Sequence, residues 1–280
     1  METLRRKLSL AFDKPGCRWL LATATSAWAR HLARDSQIGV TYDGMWIDVV
    51  DGIFIPRAST FEYYAYDILH MRRRMIDRLE GSLDYWTYVY EPKKGDVILD
   101  VGAGVGIDAI ALSRAVGPSG HVHSVEAHPW TYSALRTTIS LNHLSNVTPH
   151  HVAISDAEGH LWIETTGNDE SNSVSSMRSK AHSTKVPAID LDSFLERNRI
   201  DRVDLLKMNI EGAEELAIKG MQKSIGRISN VVIACHDFRE GQLGTKEIVT
   251  AFLLKNGFEV LERPNDPRPY VRDHVHGRKS

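Results

Sequence analysis

The sequence predicts an α/β fold, a parallel sheet with helices on both faces, preceded by a mainly helical N-terminal extension. Three observations predict it. From about residue 92, short β-branched runs alternate with segments of helical period, the pattern of strands joined by crossover helices. The first such strand runs straight into the glycine-rich stretch Asp100-Val101-Gly102-Ala103-Gly104-Val105-Gly106 and then into a helix. The chain is also long and apolar enough to fill a two-sided core: 280 residues, 42% hydrophobic and 25% charged.

In order, the elements read as a strand over 97–101, a helix over 106–116, a strand over 122–126 and a helix over 129–142 with Pro129 at its start. A third strand is expected over 147–154 and an added hairpin strand over 159–165. Residues 166–184, rich in Ser, Asn and Gly, read as a long loop. A helix over 191–197, a strand over 203–208, a helix over 213–224 and a strand over 230–235 follow. A helix over 246–256 ending at Gly257 and a strand over 258–261 complete the alternation. We divide the chain into an extension over 1–91, a ligand-binding domain over 92–263 and a loose tail over 264–280, rich in Pro, Arg and His.

Within the extension, Tyr64, Ile68, Met71 and Met75 form an i, i+4, i+7, i+11 stripe, predicting a helix over 61–80. It carries Arg72-Arg73-Arg74, read as a solvated face or as a dock for an anionic group. Nearer the start, Leu21, Trp28 and Leu32 share one helical face, with Arg18, Arg30 and Arg34 elsewhere. That run fits an amphipathic helix packed on the domain or on a partner. A membrane-surface helix and a cleaved leader are the other readings. No stretch approaches the roughly 20 apolar residues of a membrane span.

Charge and cysteine content narrow the function classes. The chain has 34 Lys and Arg against 36 Asp and Glu, a net charge of −2. Bulk attraction to nucleic acid is therefore not expected. Cys17 and Cys235 make no CxxC pair and no disulfide framework, so a reducing, cytoplasmic setting is the default.

The glycine stretch is the sharpest signal. Glycines after a strand let backbone approach a ligand, and the following helix offers its N–H groups. A dinucleotide fingerprint needs its third glycine where this chain has Ile107. Asp100, Gly102, Ala103, Gly104 and Gly106 instead give D-x-G-x-G-x-G, which resembles the cofactor loop of class I S-adenosylmethionine-dependent methyltransferases. Glu126, some twenty residues on, ends the second strand, where a carboxylate can accept both hydroxyls of a ribose. Ala127 follows it. Asp156, after the third strand, is the candidate for an adenine amino group.

Residues from about 95 to 262 resemble the FkbM-type methyltransferase family. The resemblance is carried by the loop itself, by Val125-Glu126 through Pro129 to Leu135, by Leu141-Asn142, and by Ala153, Asp156 and Gly159. Above all it is carried by Asp204-Leu205-Leu206-Lys207-Met208-Asn209-Ile210-Glu211-Gly212-Ala213-Glu214. That segment is similar to the family's D-L-L-K-I-D-V-E-G-A-E signature. It differs at Asn209, where the family has Asp, and Ala127 stands where it usually has Pro.

The resemblance implies a Rossmann-like class I methyltransferase sheet, S-adenosylmethionine as cofactor, and a hydroxyl of a sugar, glycan or natural-product scaffold as acceptor. Methylating a hydroxyl requires aligning the oxygen and removing its proton. His236, directly after the fifth strand, is the candidate base; Glu211 and Asn209 are candidates to orient it or the acceptor. Glu211, His236 and Asp237 are also donors suited to Mg²⁺ or Mn²⁺. Lys207 and Glu214 are expected to pair and brace the signature loop. Carboxyl methylation of a sugar acid, which needs no base, and a non-catalytic S-adenosylmethionine-binding protein are the alternatives. The loop 166–184 and the N-terminal region with Tyr63, Tyr64, Tyr66, Tyr85, Trp86, Tyr88 and Tyr90 are expected to select the acceptor; those aromatics could stack on a sugar or flat scaffold, though core packing is the commoner reason for them. A homo-oligomer is left open.

Overall fold

The computed structural model describes residues 12–35, 37–57, 70–164, 174–175, 183–235 and 244–279. Among them the central sheet has seven strands. In space they run β13 (Phe258–Glu262), β14 (His274–Lys279), β12 (Ile228–Ala234), β11 (Val203–Met208), β4 (Val97–Val101), β5 (His121–Val125) and β6 (Val147–His150). The pairs β12–β11–β4–β5–β6 are parallel, while β14 is antiparallel to both its neighbours.

Burial explains the parallel strands. Along β4 and β11, Leu99, Val101, Leu206 and Met208 enter one core. They meet α5 (Leu191–Arg197), α6 (Glu214–Lys219) and α7 (Thr245–Lys255) there. Ile98 and Leu205 enter the core on the other face, with α3 (Ile107–Val116) and α4 (Pro129–Leu141). Strands apolar on both faces are what a sheet sandwiched by helices requires. The strand order reverses between β4 and β11, the switch point at whose carboxyl edge such sheets bind ligands.

The structure corrects four expectations. The tail is not loose, because 274–279 inserts as β14 inside the main sheet. Its strand signal is weak because two of its inward positions are histidines, His274 and His276, both buried. Burial pushes His276 down to about 4, so it is neutral at physiological pH. Gly277 is required there, since a Cβ would lie 2.9 Å from Val231 Cγ2.

The expected third strand is two strands. After β6 the chain leaves the main sheet, and β7 (Ala153–Ser155) pairs in parallel with β10 (Ser183–Asp190). With β8 (Gly159–Glu164) and β9 (Val174–Ser175) they form a four-stranded sheet. Much of the loop 166–184 lies outside the described residues.

Third, the extension holds, besides two helices, an antiparallel meander: β1 (Ile38–Tyr42), β2 (Trp46–Val50) and β3 (Ile53–Pro56). It packs with α1 (Arg18–Ala33) and α2 (Met71–Trp86) over one cluster that reaches Ile110 of α3. Met71 and Met75 are buried as the stripe predicts, while Tyr64 and Ile68 lie outside the described residues. Arg72 pairs with Asp35 at 2.7 Å and with Asp51, which leaves the anion-docking reading of that run without its first arginine.

Fourth, α1 buries a different face from the one expected. Ala22, Ser26 and Ala29 point inward, Leu21 and Trp28 flank them, and Leu32 is exposed. Small residues win because the helix sits tightly on β1. Ser26 Oγ donates to Val40 O at 2.9 Å and accepts from Val40 N at 2.8 Å. A Cβ on Gly39 would meet Ser26 Oγ at 3.0 Å.

Candidate active site at the carboxyl edge of the sheet

The parallel register sets the site. Val101, Met208 and Ile233 lie on one rung, so the next residues of β4 and β11, Gly102 and Asn209, leave the sheet side by side, while Ala234 ends β12 still paired with His274 of β14. Gly102 has φ +79°, and a Cβ there would lie 1.8 Å from the carbonyl oxygen of Asn209. This position is glycine because two chain segments touch. Asn209 N donates to Val101 O at 2.9 Å and closes the joint.

Gly106 is explained in the same way. A Cβ there would meet Leu135 Cδ1 of α4 at 2.8 Å. Gly104 is different: it has φ +57°, yet no heavy atom lies within 4 Å of where its Cβ would stand. Its bare face therefore looks onto open space, as a backbone that a ligand must approach would.

The loop is held from the β5 side. Gly102 N and Ala103 N both donate to Val125 O, at 2.9 and 3.0 Å. Gly104 N donates to Glu126 Oε2 at 3.0 Å, and His128 N to Glu126 Oε1 at 2.8 Å. The carboxylate thus sits against the open glycine, with lone pairs left for hydroxyls. Burial pushes its carboxyl above the usual carboxylate range, against the pull of these two N–H donors. Ala127 is half-buried and packs toward the smaller sheet; its carbonyl oxygen lies 3.1 Å from His151 Nε2.

A buried charge cluster lies beneath the loop. Lys207 Nζ sits 2.9 Å from Asp100 Oδ1 and 3.2 Å from Asp108 Oδ2, and donates to Gly102 O at 2.9 Å. The Trp86 ring covers it, 4.9 Å from Nζ to the centroid, and His274 stacks on that ring at 4.6 Å. Burial opposes the ammonium charge, but attraction to Asp100 and Asp108 outweighs it and holds Lys207 above its ordinary pKa. Asp100, fully buried, is pushed up by the same burial while Lys207 pulls it down.

This corrects the expected pairing of Lys207 with Glu214. Glu214, itself buried, accepts from Ile210 N at 3.2 Å and from Gly212 N at 3.0 Å, so it braces the signature loop through backbone. Glu211 stands in that loop at φ +51°. The roles of Asp108 and Trp86 are absent from the sequence reading. Asp108 had a local signal as an acid in the first turn of α3, but Trp86 reaches the site only through the long-range docking of α2.

Asp156 is exposed beyond β7, accepting from Ser155 Oγ at 3.1 Å. Nothing in its described contacts ties it to the glycine loop. His236 and Asp237 lie outside the described residues; Cys235, just before them, is buried and donates its N–H to Asp273 O at 3.0 Å. Among the described residues no three His, Cys, Asp or Glu side chains converge as metal ligands do.

A family model described as the methyltransferase FkbM domain matches residues 100–260, more than half of the chain. The chain belongs to the FkbM methyltransferase family. It is an S-adenosylmethionine-dependent methyltransferase with a Rossmann-like class I sheet. Among curated relatives, Methyltransferase 1 of Beauveria bassiana is 25% identical over 197 residues, covering 62% of this chain and 77% of that one. Hexuronic acid methyltransferase AglP of Haloferax volcanii is 24% identical over 146 residues, covering 52% and 58%. Among solved structures, Aeropyrum pernix fibrillarin with natively bound S-adenosyl-L-methionine aligns at TM-score 0.42 and 17% identity, over 71% of this chain and 72% of that one.

Proposed function

We propose that this methyltransferase acts on a hydroxyl of a sugar, glycan or natural-product scaffold, in the cytoplasm and without a nucleic-acid substrate. The observation that supports it is the shared rung. The glycine loop, Asn209 and the end of β12 open onto one edge, and the sequence puts His236 directly after Cys235 there.

The residues fit the cofactor: Gly104 presents a bare face and Glu126 a carboxylate held against it. When bound, S-adenosylmethionine supplies a methyl group on a cationic sulfonium. Glu126 accepts hydrogen bonds from ribose hydroxyls, while the first turn of α3 offers N–H donors. Lys207, through Asp100 and Gly102 O, keeps the loop from shifting. His236 takes the proton from the acceptor hydroxyl, and Glu211 orients base or acceptor. A metal is not part of the proposal.

A second reading, carboxyl methylation of a sugar acid, draws support from the relative named as a hexuronic acid methyltransferase. There a carboxylate is already nucleophilic and no base is needed. The test is transfer of label from methyl-labelled S-adenosylmethionine to panels of neutral sugars and of uronic acids. Hydroxyl methylation predicts ether products and loss of turnover in His236→Ala. Base-labile ester products with turnover preserved in His236→Ala would establish the second reading instead.

A further inference from the structure

The outer face of α1 gathers large apolar residues in the open. Its inner face is fully engaged on β1 through Ala22, Ser26 and Ala29. The outer face and the turn before it leave Phe12, Trp19 and Leu20 exposed by 51%, 61% and 49%. Toward the other end, the same face carries His31 and Arg34, both exposed, while Arg30 turns its guanidinium to β1 and donates to Ile38 O at 2.9 Å. The helix contains no acidic residue, and the acids flanking it are engaged: Asp13 by Arg18 at 2.6 Å and Asp35 by Arg72 at 2.7 Å.

The sequence around it has the same bias. Residues 1–34 hold seven Lys or Arg against two acidic residues, a balance of +5. Since the whole chain carries −2, everything after residue 34 carries −7. A local cationic face on an otherwise acidic protein points at an anionic partner.

We propose that the outer face of α1 docks this enzyme onto an anionic phospholipid surface, lying in the interface rather than crossing it. An exposed Trp beside Leu and Phe, flanked by cations and by acids already paired with arginines, matches what an interfacial helix presents. Spanning is excluded because the inner face is bound to the protein, and no helix among the described residues is long and apolar enough to cross a membrane. A second copy of the chain is a poorer fit, since a two-fold contact through this face would set like charges together. Nucleic acid is a poorer fit because the most exposed residues are large and apolar.

The test is co-sedimentation of the full chain with phosphatidylglycerol vesicles and with phosphatidylcholine vesicles. The expected result is binding to the first, weakened by salt, and little to the second. Trp19→Ser/Leu20→Ser is expected to weaken binding about tenfold or more, since withdrawing both side chains from an apolar phase costs at least ~1.4 kcal/mol. Unchanged titration of the variant with S-adenosylhomocysteine shows that it remains folded. No vesicle binding, binding the variant retains, or a solution dimer that the variant abolishes would each overturn the proposal.

Discussion

The glycine-loop edge and the cover beside it are built on opposite plans. The edge is local: within 27 residues Asp100, Gly102, Gly104, Gly106 and Glu126 fix their own geometry through neighbouring strand ends. The cover is long-range, joining the end of α2 to the last residues of the chain. Asp84 pairs there with Arg263 and Arg268, Tyr85 meets Tyr270 edge-on at 5.8 Å, and Trp86 stacks on His274. The two plans meet at Lys207, which touches the loop on one side and the Trp86 ring on the other. The candidate site is a short motif sealed by contacts between the end of α2 and residues 263–274.

The comparison is broken most forcefully at that junction. Lys207→Met leaves two carboxylates facing each other without their cation. It should destabilise the protein by about 3–5 kcal/mol, read by denaturant unfolding. Because the folded-state pKa of Lys207 is raised, the stabilisation from its charge is complete below its ordinary value of 10.5 and declines as pH climbs beyond it toward the folded-state value.

Next come the glycines, which separate packing from binding. Gly102→Ala should lower both stability and cofactor affinity, since its Cβ has nowhere to go. Gly104→Ala should cost only about 1–2 kcal/mol, for its positive φ, and leave the fold intact. Loss of S-adenosylhomocysteine binding without unfolding is its expected signature in calorimetry.

An effect seen only in acid lies away from the site. His123 Nδ1 stands 3.1 Å from His150 Nε2, with the His121 ring beside His123. Burial pushes His123 down to about 3 and His150 to about 4, with neighbouring histidines adding to the shift. The unfolded chain therefore takes up protons first. Stability holds above pH 6.5 and falls as pH drops from there toward about 3. Melting temperature against pH should show this decline, and His123→Gln with His150→Gln should flatten it. The smallest expected effect is Asp84→Ala at the rim of the cover, about 1 kcal/mol or less, because its arginine partners are part-exposed.

These contrasts also say what the sequence could disclose. The parallel strands were readable from apolar runs, and the loop from glycine spacing beside Asp100 and Glu126. What escaped was every feature whose reason lies far along the chain. The tail's strand is masked by His274 and His276, whose burial depends on Trp86 and Tyr88. The α1 interface is masked because Ala22, Ser26 and Ala29 carry little hydrophobic signal, whereas the larger Leu32 points outward. Lys207 was singled out with the wrong partner. Glu214, seven residues away, is near in sequence, while Asp100 and Asp108 are brought to it only by the pairing of β4 with β11.

The proposed seat of the cofactor is Gly104 with Glu126. Its most direct test is calorimetric titration of S-adenosylhomocysteine into the unmodified chain, Gly104→Ala and Glu126→Gln, each checked for unchanged melting cooperativity. One-to-one binding by the unmodified chain is expected, with a loss of about tenfold or more in affinity in each folded variant. Affinity unchanged in both folded variants, or no binding by the unmodified chain, would contradict it.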